Sequence, residues 1–282
     1  MTAPLVTPTT GAPSTSLLRK LEVLTDPRVK GWGITTDARF MFPLLIAYVY
    51  VAKIGGPRWM KNRPAFDLKG AILLYNLSMV VANALFVVKF LKHSYLGGGY
   101  SFFCQGIDYA AADNDTVSVL STAWWYAFVR IADFLDTVFF VLRKKNSQVT
   151  FLHVVHHFLV VLSCWIWLNF GHDGQVILGV CVNASVHVVM YGYYFLAALG
   201  PAVRKHLWWK RHLTTLQIFQ MVFVVAHMQI PLFYDCGYPK ALCLVETAEL
   251  CLGITLFMNF YRKTYKSRSC ERSGIVNAAK SD

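Results

Sequence analysis

Charged side chains are scarce in this sequence. They make up 15% of its 282 residues, whereas soluble domains usually carry about a quarter. Hydrophobic residues reach 56%, including 20 Phe, 14 Tyr and 8 Trp, and seven apolar runs approach or reach the roughly 20 residues that cross a bilayer. The runs cover residues 40–54, 70–91, 117–141, 149–169, 175–198, 213–235 and 241–261. We therefore predict an all-α polytopic membrane protein with seven transmembrane helices.

The N-terminal region lacks the continuous apolar core of a cleavable signal peptide. Its start, TAPLVTPTTGAPSTS, is rich in Ser, Thr and Pro, which is typical of a disordered tail. We expect three parts: a disordered tail over residues 1–35, the transmembrane domain over 36–265 and a basic tail over 266–282.

Acidic residues are also few, and the formal net charge is +12. Such an excess can indicate nucleic-acid binding, but here the bases cluster in alternate connections between the predicted spans. The clusters lie at 53–69, 143–145 and 204–211 and after Arg262. The positive-inside rule places these connections and the C-terminus in the cytosol and the N-terminus opposite. Five bases between Arg19 and Arg39 oppose this orientation weakly, and we expect no nucleic-acid partner.

The seven cysteines contain no CxxC pair of the kind that binds metals. Four fall in apolar spans and are expected to be buried packing residues: Cys164, Cys181, Cys243 and Cys251. Cys104 and Cys236 both fall in connections on the predicted non-cytosolic side. If that side is the oxidising lumen of the endoplasmic reticulum, the two could form a disulfide.

Polar residues recur at helical spacing inside four predicted spans. Such residues are costly in a membrane and normally face a protein interior or a water-filled cavity. At about 1.5 Å per residue the sets lie roughly 9–16 Å below the cytosolic ends, which predicts a polar chamber open to the cytosol. Hydrogen bonding between helices would explain Thr214 or Asn183 alone, and His227, alone on an apolar face, is expected to be structural. The sets are Arg130, Asp133, Asp136 and Thr137; His153, His156 and His157; Asn183, His187, Tyr191 and Tyr194; Thr214, Gln217 and Gln220.

The run HVVHH allows several chemistries. A di-iron centre would need further histidine boxes, and this chain has one box only. A zinc site of three histidines and one carboxylate is geometrically conceivable. Without a metal, imidazole can act as base, acid or covalent nucleophile, and Asp133 or Asp136 could orient a ring. No Ser or Cys nucleophile signature accompanies the histidines.

Four ordered motifs resemble those of the very-long-chain fatty acid elongases, the ELO family. K-x-x-E-x-x-D-T is matched by residues 130–137, H-x-x-H-H by 153–157, N-x-x-x-H-x-x-M-Y-x-Y-Y by 183–194 and T-x-x-Q-x-x-Q by 214–220. The resemblance runs from about residue 35 to 268. Arg130 replaces the family lysine, Asp133 replaces its glutamate, and Met221 stands where Phe is frequent. The terminal NAAKSD lacks the dilysine retrieval signal of many members.

The resemblance implies the condensing step of fatty acid elongation. An acyl-CoA and malonyl-CoA would give a 3-oxoacyl-CoA two carbons longer, with release of carbon dioxide and CoA. The implied fold is seven helices, six of which surround a narrow acyl tunnel. In our hypothesis His156 carries the acyl chain and His187 binds the reacting carbonyl or the malonyl group. The remaining catalytic candidates, which would orient these rings, are His153, His157, Asp133 and Asp136.

Both substrates carry the polyanionic CoA, which would enter from the basic side. The expected phosphate partners are Arg143, Lys145, Lys210 and Arg211, although these bases could equally set topology or attract anionic lipids. Further substrate-binding candidates are Arg130, Gln148, Asn183, Tyr191, Gln217 and Gln220. The position of Gln148 resembles members that act on very-long-chain or polyunsaturated acyl chains.

No bound cofactor is expected. The expected location is the endoplasmic reticulum membrane, with the C-terminus in the cytosol and membrane lipids as surroundings. Contacts with the reductases and dehydratase of the elongation cycle, a homodimer and the preferred chain length stay open. The alternatives are a membrane di-iron desaturase or hydroxylase and, outside enzymes, a seven-helix receptor.

Overall fold

The computed structural model describes residues 25–33 and 35–266, and within them every regular element is helical. A 3₁₀ turn, Pro27–Val29, precedes the first long helix. The main helices are α1 (Ala38–Tyr50), α2 (Gly56–Met60), α3 (Lys69–Leu91), α4 (Asn114–Ala132), α5 (Phe134–Leu142), α6 (Phe151–Phe170), α7 (Val176–Leu199), α8 (Pro201–Arg204), α9 (Lys210–Met228), α10 (Ile230–Phe233) and α11 (Lys240–Tyr261). The fold class is therefore all-α, as predicted.

Within residues 25–33 and 35–266, six helical stretches are long and apolar enough to cross a membrane. They are Ala38–Met60, Lys69–Leu96, Phe151–Phe170, Val176–Leu199, Lys210–Phe233 and Lys240–Tyr265. The predicted third span, residues 117–141, is not among them because it holds three charged residues and is divided at Asp133 into α4 and α5. Large apolar side chains such as Ile46, Leu74 and Phe219 are about 70% exposed, as suits contact with lipid.

The helices pack in a closed ring. Each of α3, α4, α6, α11, α9 and α7 contacts the next, and α7 contacts α3 most extensively, which closes the circuit. Helix α1 packs against α6, and α2 packs against α5. The polar motifs on α4, α6, α7 and α9 are thereby brought into one ring of helices.

The two ends of the ring differ in their connections. We call the end with Arg143, Lys145, Lys210 and Arg211 the basic end. At the opposite end, the disulfide end, Cys104 and Cys236 are bonded, which joins the α3–α4 connection to the α10–α11 connection. Gly106 lies so close to the latter that a Cβ there would be 2.0 Å from the carbonyl oxygen of Cys236.

Residues 25–33 have defined structure, so the predicted disordered tail ends before residue 35. Asp26 and Val29 are buried, and Arg28 forms ion pairs with Asp26 at 2.7 Å and with Asp173 at 2.9 Å. No sequence pattern predicts this segment's partners, because they are distant in the chain, among them Asp173 and the Asp108 carbonyl. The predicted tails over residues 1–24 and 267–282 lie outside the described residues.

Candidate active site

The histidine motif begins in the first turn of α6. The Thr150 hydroxyl caps this helix by accepting the backbone N–H of His153 at 3.1 Å. Because a 3₁₀ turn, Asn146–Gln148, precedes the helix, His153 lies nearer the helix end than the depth of roughly 9–16 Å predicted for the polar sets. The His153 and His157 rings are 4.4 Å apart between centroids, and those of His156 and His157 are 5.7 Å apart.

Thr137 positions His153. Its hydroxyl lies 2.8 Å from Nε2 of His153 and 3.1 Å from the Tyr48 hydroxyl of α1. The chain Tyr48–Thr137–His153 thus links three helices and fixes one face of the imidazole. Asp133 and Asp136 are predicted, together with His153 and His157, to orient the reacting rings. Among the described contacts neither carboxylate is bonded to an α6 histidine, and this role stays a prediction.

Arg130 forms the centre of a second network. It is fully buried and pairs with Asp133 at 3.2 Å, with Oδ1 of Asn83 at 2.8 Å and with Nδ1 of His187. The Tyr191 hydroxyl donates to Asp133 at 2.8 Å and lies 2.9 Å from Asp136. Asp133 is therefore linked to His187 through Arg130, and Asp136 joins this network through the Tyr191 hydroxyl.

Burial corrects two predicted substrate contacts. The side chains of Arg130 and Tyr191 are both 0% exposed and hydrogen-bonded inside the protein. The Tyr191 hydroxyl and both terminal nitrogens of Arg130 are bonded to other side chains, whereas Nε of Arg130 has no hydrogen-bond partner among the described residues. Gln217 lies beside Met190, with its amide 3.2 Å from the sulfur.

A cavity of about 90 Å³ lies inside the helix ring. Its walls come from α4, α6, α7, α9 and α11, and the sequence-predicted residues that border it are His156, Asn183 and Gln220. The Asn183 side-chain oxygen accepts the Tyr126 hydroxyl at 2.7 Å. His156 has no hydrogen-bond partner among the described residues, and its ring lies 5.5 Å from that of Phe257. An unpaired imidazole on a cavity wall is free to meet a ligand.

The residues predicted to bind the CoA phosphates lie at the basic end, and most of them are exposed. Lys145, Gln148, Lys210 and Arg211 are exposed and Arg143 is partly buried at the end of α5. Within the described residues, no three His, Cys, Asp or Glu side chains are grouped as metal ligands.

Two expectations for isolated residues have clear outcomes. His227 is structural, as predicted, because its ring lies 3.0 Å from the Gln175 amide and 3.1 Å from the Phe102 carbonyl. Cys164, Cys181 and Cys243 are buried, but Cys251 is exposed, so the prediction for Cys251 is wrong. Its side of α11 lies outside the ring.

Several polar residues of the cavity and of the Arg130 network are not among the residues predicted from the sequence. Glu246 and Glu249 on α11 border the cavity beside Ser163, and Asn83 on α3 holds Arg130. The two glutamates could have been found, since they lie three residues apart inside an apolar run. Asn83 is isolated in its run and carries no comparable signal.

Comparison with known proteins decides the family. Residues 34–273 match the family described as "ELO: GNS1/SUR4 family". The chain belongs to this family. It is 39% identical to a very long chain fatty acid elongase of Aedes aegypti over 90% of this chain and 70% of that one. It is 38% identical to very long chain fatty acid elongase 4 of Homo sapiens, over 89% and 79% respectively.

A third relative agrees with the first two. Very long chain fatty acid elongase 7 of Rattus norvegicus is 40% identical over 85% of both chains. As an ELO family member with several membrane-spanning helices, the chain is a multi-pass membrane protein and an enzyme of fatty acid elongation.

Proposed function

We propose that this ELO protein catalyses the condensing step as a 3-oxoacyl-CoA synthase, with His156 as the covalent nucleophile. The observation that carries the proposal is the position of His156, which borders the cavity and has no hydrogen-bond partner among the described residues. The neighbouring His153 is held by Thr137 and His187 by Arg130, so neither is as free to react.

The reaction proceeds in two balanced steps. A nitrogen of His156 attacks the thioester carbonyl of the acyl-CoA, the C–S bond breaks, and CoA leaves with the proton lost from the imidazole. Malonyl-CoA then loses carbon dioxide, and the electron pair left on its α-carbon attacks the acyl-imidazole. The C–N bond to His156 breaks, the released imidazole nitrogen takes up one proton, and the 3-oxoacyl-CoA forms. Overall, one acyl-CoA, one malonyl-CoA and one proton give the elongated product, carbon dioxide and CoA.

The other site residues have supporting roles. His187, held by Arg130, binds the malonyl group, and Asn183 and Gln220 contact the acyl thioester from the cavity wall. CoA phosphates bind Arg143, Lys145, Lys210 and Arg211 at the basic end. The reaction as proposed uses no bound cofactor. We expect the protein in the endoplasmic reticulum membrane, with its basic end and C-terminus in the cytosol.

A turnover assay with purified protein tests the proposal. With labelled malonyl-CoA and a panel of acyl-CoAs, we expect release of carbon dioxide and a product two carbons longer. His156→Ala should abolish both, while His93→Gln, whose ring pairs with Asp115 and does not line the cavity, serves as the histidine control. Turnover by His156→Ala would overturn the role of His156, and a chain of unchanged length with every acyl-CoA would overturn the reaction. Iron content and oxygen consumption test the desaturase alternative.

A further inference from the structure

Two carboxyl side chains interrupt an otherwise apolar part of the cavity. Glu246 and Glu249 lie one turn apart on α11, and their neighbours on the wall include Val176, Val180 and Val224. Glu246 is 6% exposed. A hydrocarbon tail alone gives no reason for such side chains, because burying them without polar partners is costly.

Each carboxyl is anchored by one oxygen. The Trp167 indole N–H donates to Oε2 of Glu246 at 3.1 Å, and the Ser163 hydroxyl donates to Oε2 of Glu249. Within the described residues, neither glutamate has an ion pair and neither Oε1 has a hydrogen-bond donor. Each therefore offers a fixed acceptor at the cavity wall.

Gln220 independently indicates a polar ligand in the same cavity. Its side chain is 7% exposed, borders the cavity and has no hydrogen-bond partner among the described residues. Buried amides are nearly always hydrogen-bonded. The amide on α9 and the free carboxyl oxygens on α11 are thus open to the polar atoms of an occupant.

The distance from His156 sets where on an acyl chain those atoms would lie. Ser163 and Trp167, which hold the glutamates, follow His156 on α6 by seven and eleven residues, or roughly 10 and 16 Å. An extended chain built from bonds of about 1.5 Å advances roughly 1.25 Å per carbon. The glutamates therefore lie beside about the eighth to thirteenth carbon beyond the carbonyl of an acyl group on His156.

We propose that this cavity selects acyl chains that carry a hydroxyl group in the middle of the chain, with Glu246 and Glu249 as its acceptors. The proposal rests on the proposed function, which places the acyl carbonyl at His156. A mid-chain hydroxyl donates to one free Oε1, whereas a plain methylene chain offers a donor to neither glutamate. A site built to bind a hydroxyl discriminates strongly against the analogue without it.

Paired substrates of equal length test the selection. We expect kcat/KM for an acyl-CoA with a mid-chain hydroxyl to exceed that of the plain acyl-CoA at least about tenfold. A positional isomer with its hydroxyl near the carbonyl should show no such advantage. Glu249→Met, which keeps the side-chain length and removes the acceptor, should reduce the ratio to about that of the isomer. Glu246→Met, the second variant, should also reduce this ratio. Cys251→Ala, at an exposed position of the same helix, is the control and should leave the ratio unchanged.

A binding measurement separates this proposal from the condensing function. Without malonyl-CoA, the hydroxylated acyl-CoA should raise the melting temperature of the wild type more than the plain one does, and Glu249→Met should abolish the difference. If that result holds while no substrate is elongated, the condensing function fails and the selection stands. Equal rates and equal stabilisation by the two substrates, or a ratio unchanged in both glutamate variants, would overturn the selection.

Discussion

At the scale of single residues, the pair Arg130–Asp133 replaces a lysine and a glutamate of the ELO motif. Both side chains are buried, and Arg130 also binds Asn83 and His187. A lysine keeps the charge of Arg130 but lacks its planar fork, so it cannot reproduce three contacts at once. The shorter aspartate matches the longer reach of arginine, and the two replacements therefore compensate each other.

This compensation predicts a strong coupling between the two sites. Arg130→Lys and Asp133→Glu should each lower the melting temperature and the elongation rate, and the double variant should recover part of both losses. Residues in one buried network couple by roughly 0.5–3 kcal/mol. Urea or thermal unfolding in detergent measures the cycle, and losses that simply add would contradict the proposed network.

Thr137 provides a second prediction at this scale. Thr137→Val keeps the shape of the side chain but removes the hydroxyl between Tyr48 and His153. Since small misplacements of reacting groups are costly, kcat should fall roughly 10–100-fold with little change in KM. Thr122→Val is the matched control, because the buried Thr122 hydroxyl bonds only the Ser118 carbonyl of its own helix. Equal losses in the two variants would assign Thr137 a purely structural role.

At the scale of elements, the α6–α7 connection carries a buried ionisable cluster. His172 is 2% exposed, its Nδ1 lies 3.6 Å from Asp26, and Arg28 and Asp173 pair beside it. Burial lowers the pKa of His172 to about 4, despite the raising effect of Asp26, and Arg28 lowers it further. This connection holds the segment 25–33 against the disulfide end.

The lowered pKa makes stability depend on pH. Between about pH 4 and 6.5, His172 is protonated in the unfolded protein, where its pKa is about 6.5, but neutral in the folded protein. The free energy of unfolding should therefore fall by roughly 2 kcal/mol between pH 7 and pH 5. His172→Asn should remove this fall, while Asp173, whose pKa burial raises, remains in both proteins. Parallel curves of melting temperature against pH would refute the assignment.

Sequence patterns predicted the long helices better than the positions at which helices break or begin. Apolar runs placed the six long spans because bilayer thickness and helix rise fix their length. The break at Asp133 and the 3₁₀ turn before α6 are local departures from regular α-helix, and the apolar pattern that locates the spans does not contain them. For the same reason the four motifs predicted a shared polar chamber, but not that Arg130 and Tyr191 are sealed inside it.

At the scale of the whole molecule, the cavity in the helix ring accounts for elongase chemistry inside a bilayer. A second, smaller cavity of about 10 Å³ lies further toward the disulfide end. The two share walls formed by Tyr126, Cys164, Trp167, Val176 and Val180. If the acyl tail extends from His156 in this direction, those walls limit its length.

Opening that wall should lengthen the products. Val180→Ala would join the two cavities at a cost of roughly 2 kcal/mol in stability. With a series of saturated acyl-CoAs, the longest product of the variant should exceed that of the wild type by one or more two-carbon rounds. Val189→Ala, at an exposed position of the same helix, is the control. An unchanged product distribution would show that the tail does not reach this wall.

The central claim is that His156 carries the acyl chain, and one measurement tests it directly. The wild-type protein is incubated with an acyl-CoA in the absence of malonyl-CoA, and its peptides are analysed by mass spectrometry. We predict one acyl group on the peptide that contains His156, lost when malonyl-CoA is added and absent from His156→Ala. An unmodified His156 in protein that goes on to elongate the same acyl-CoA would contradict the account.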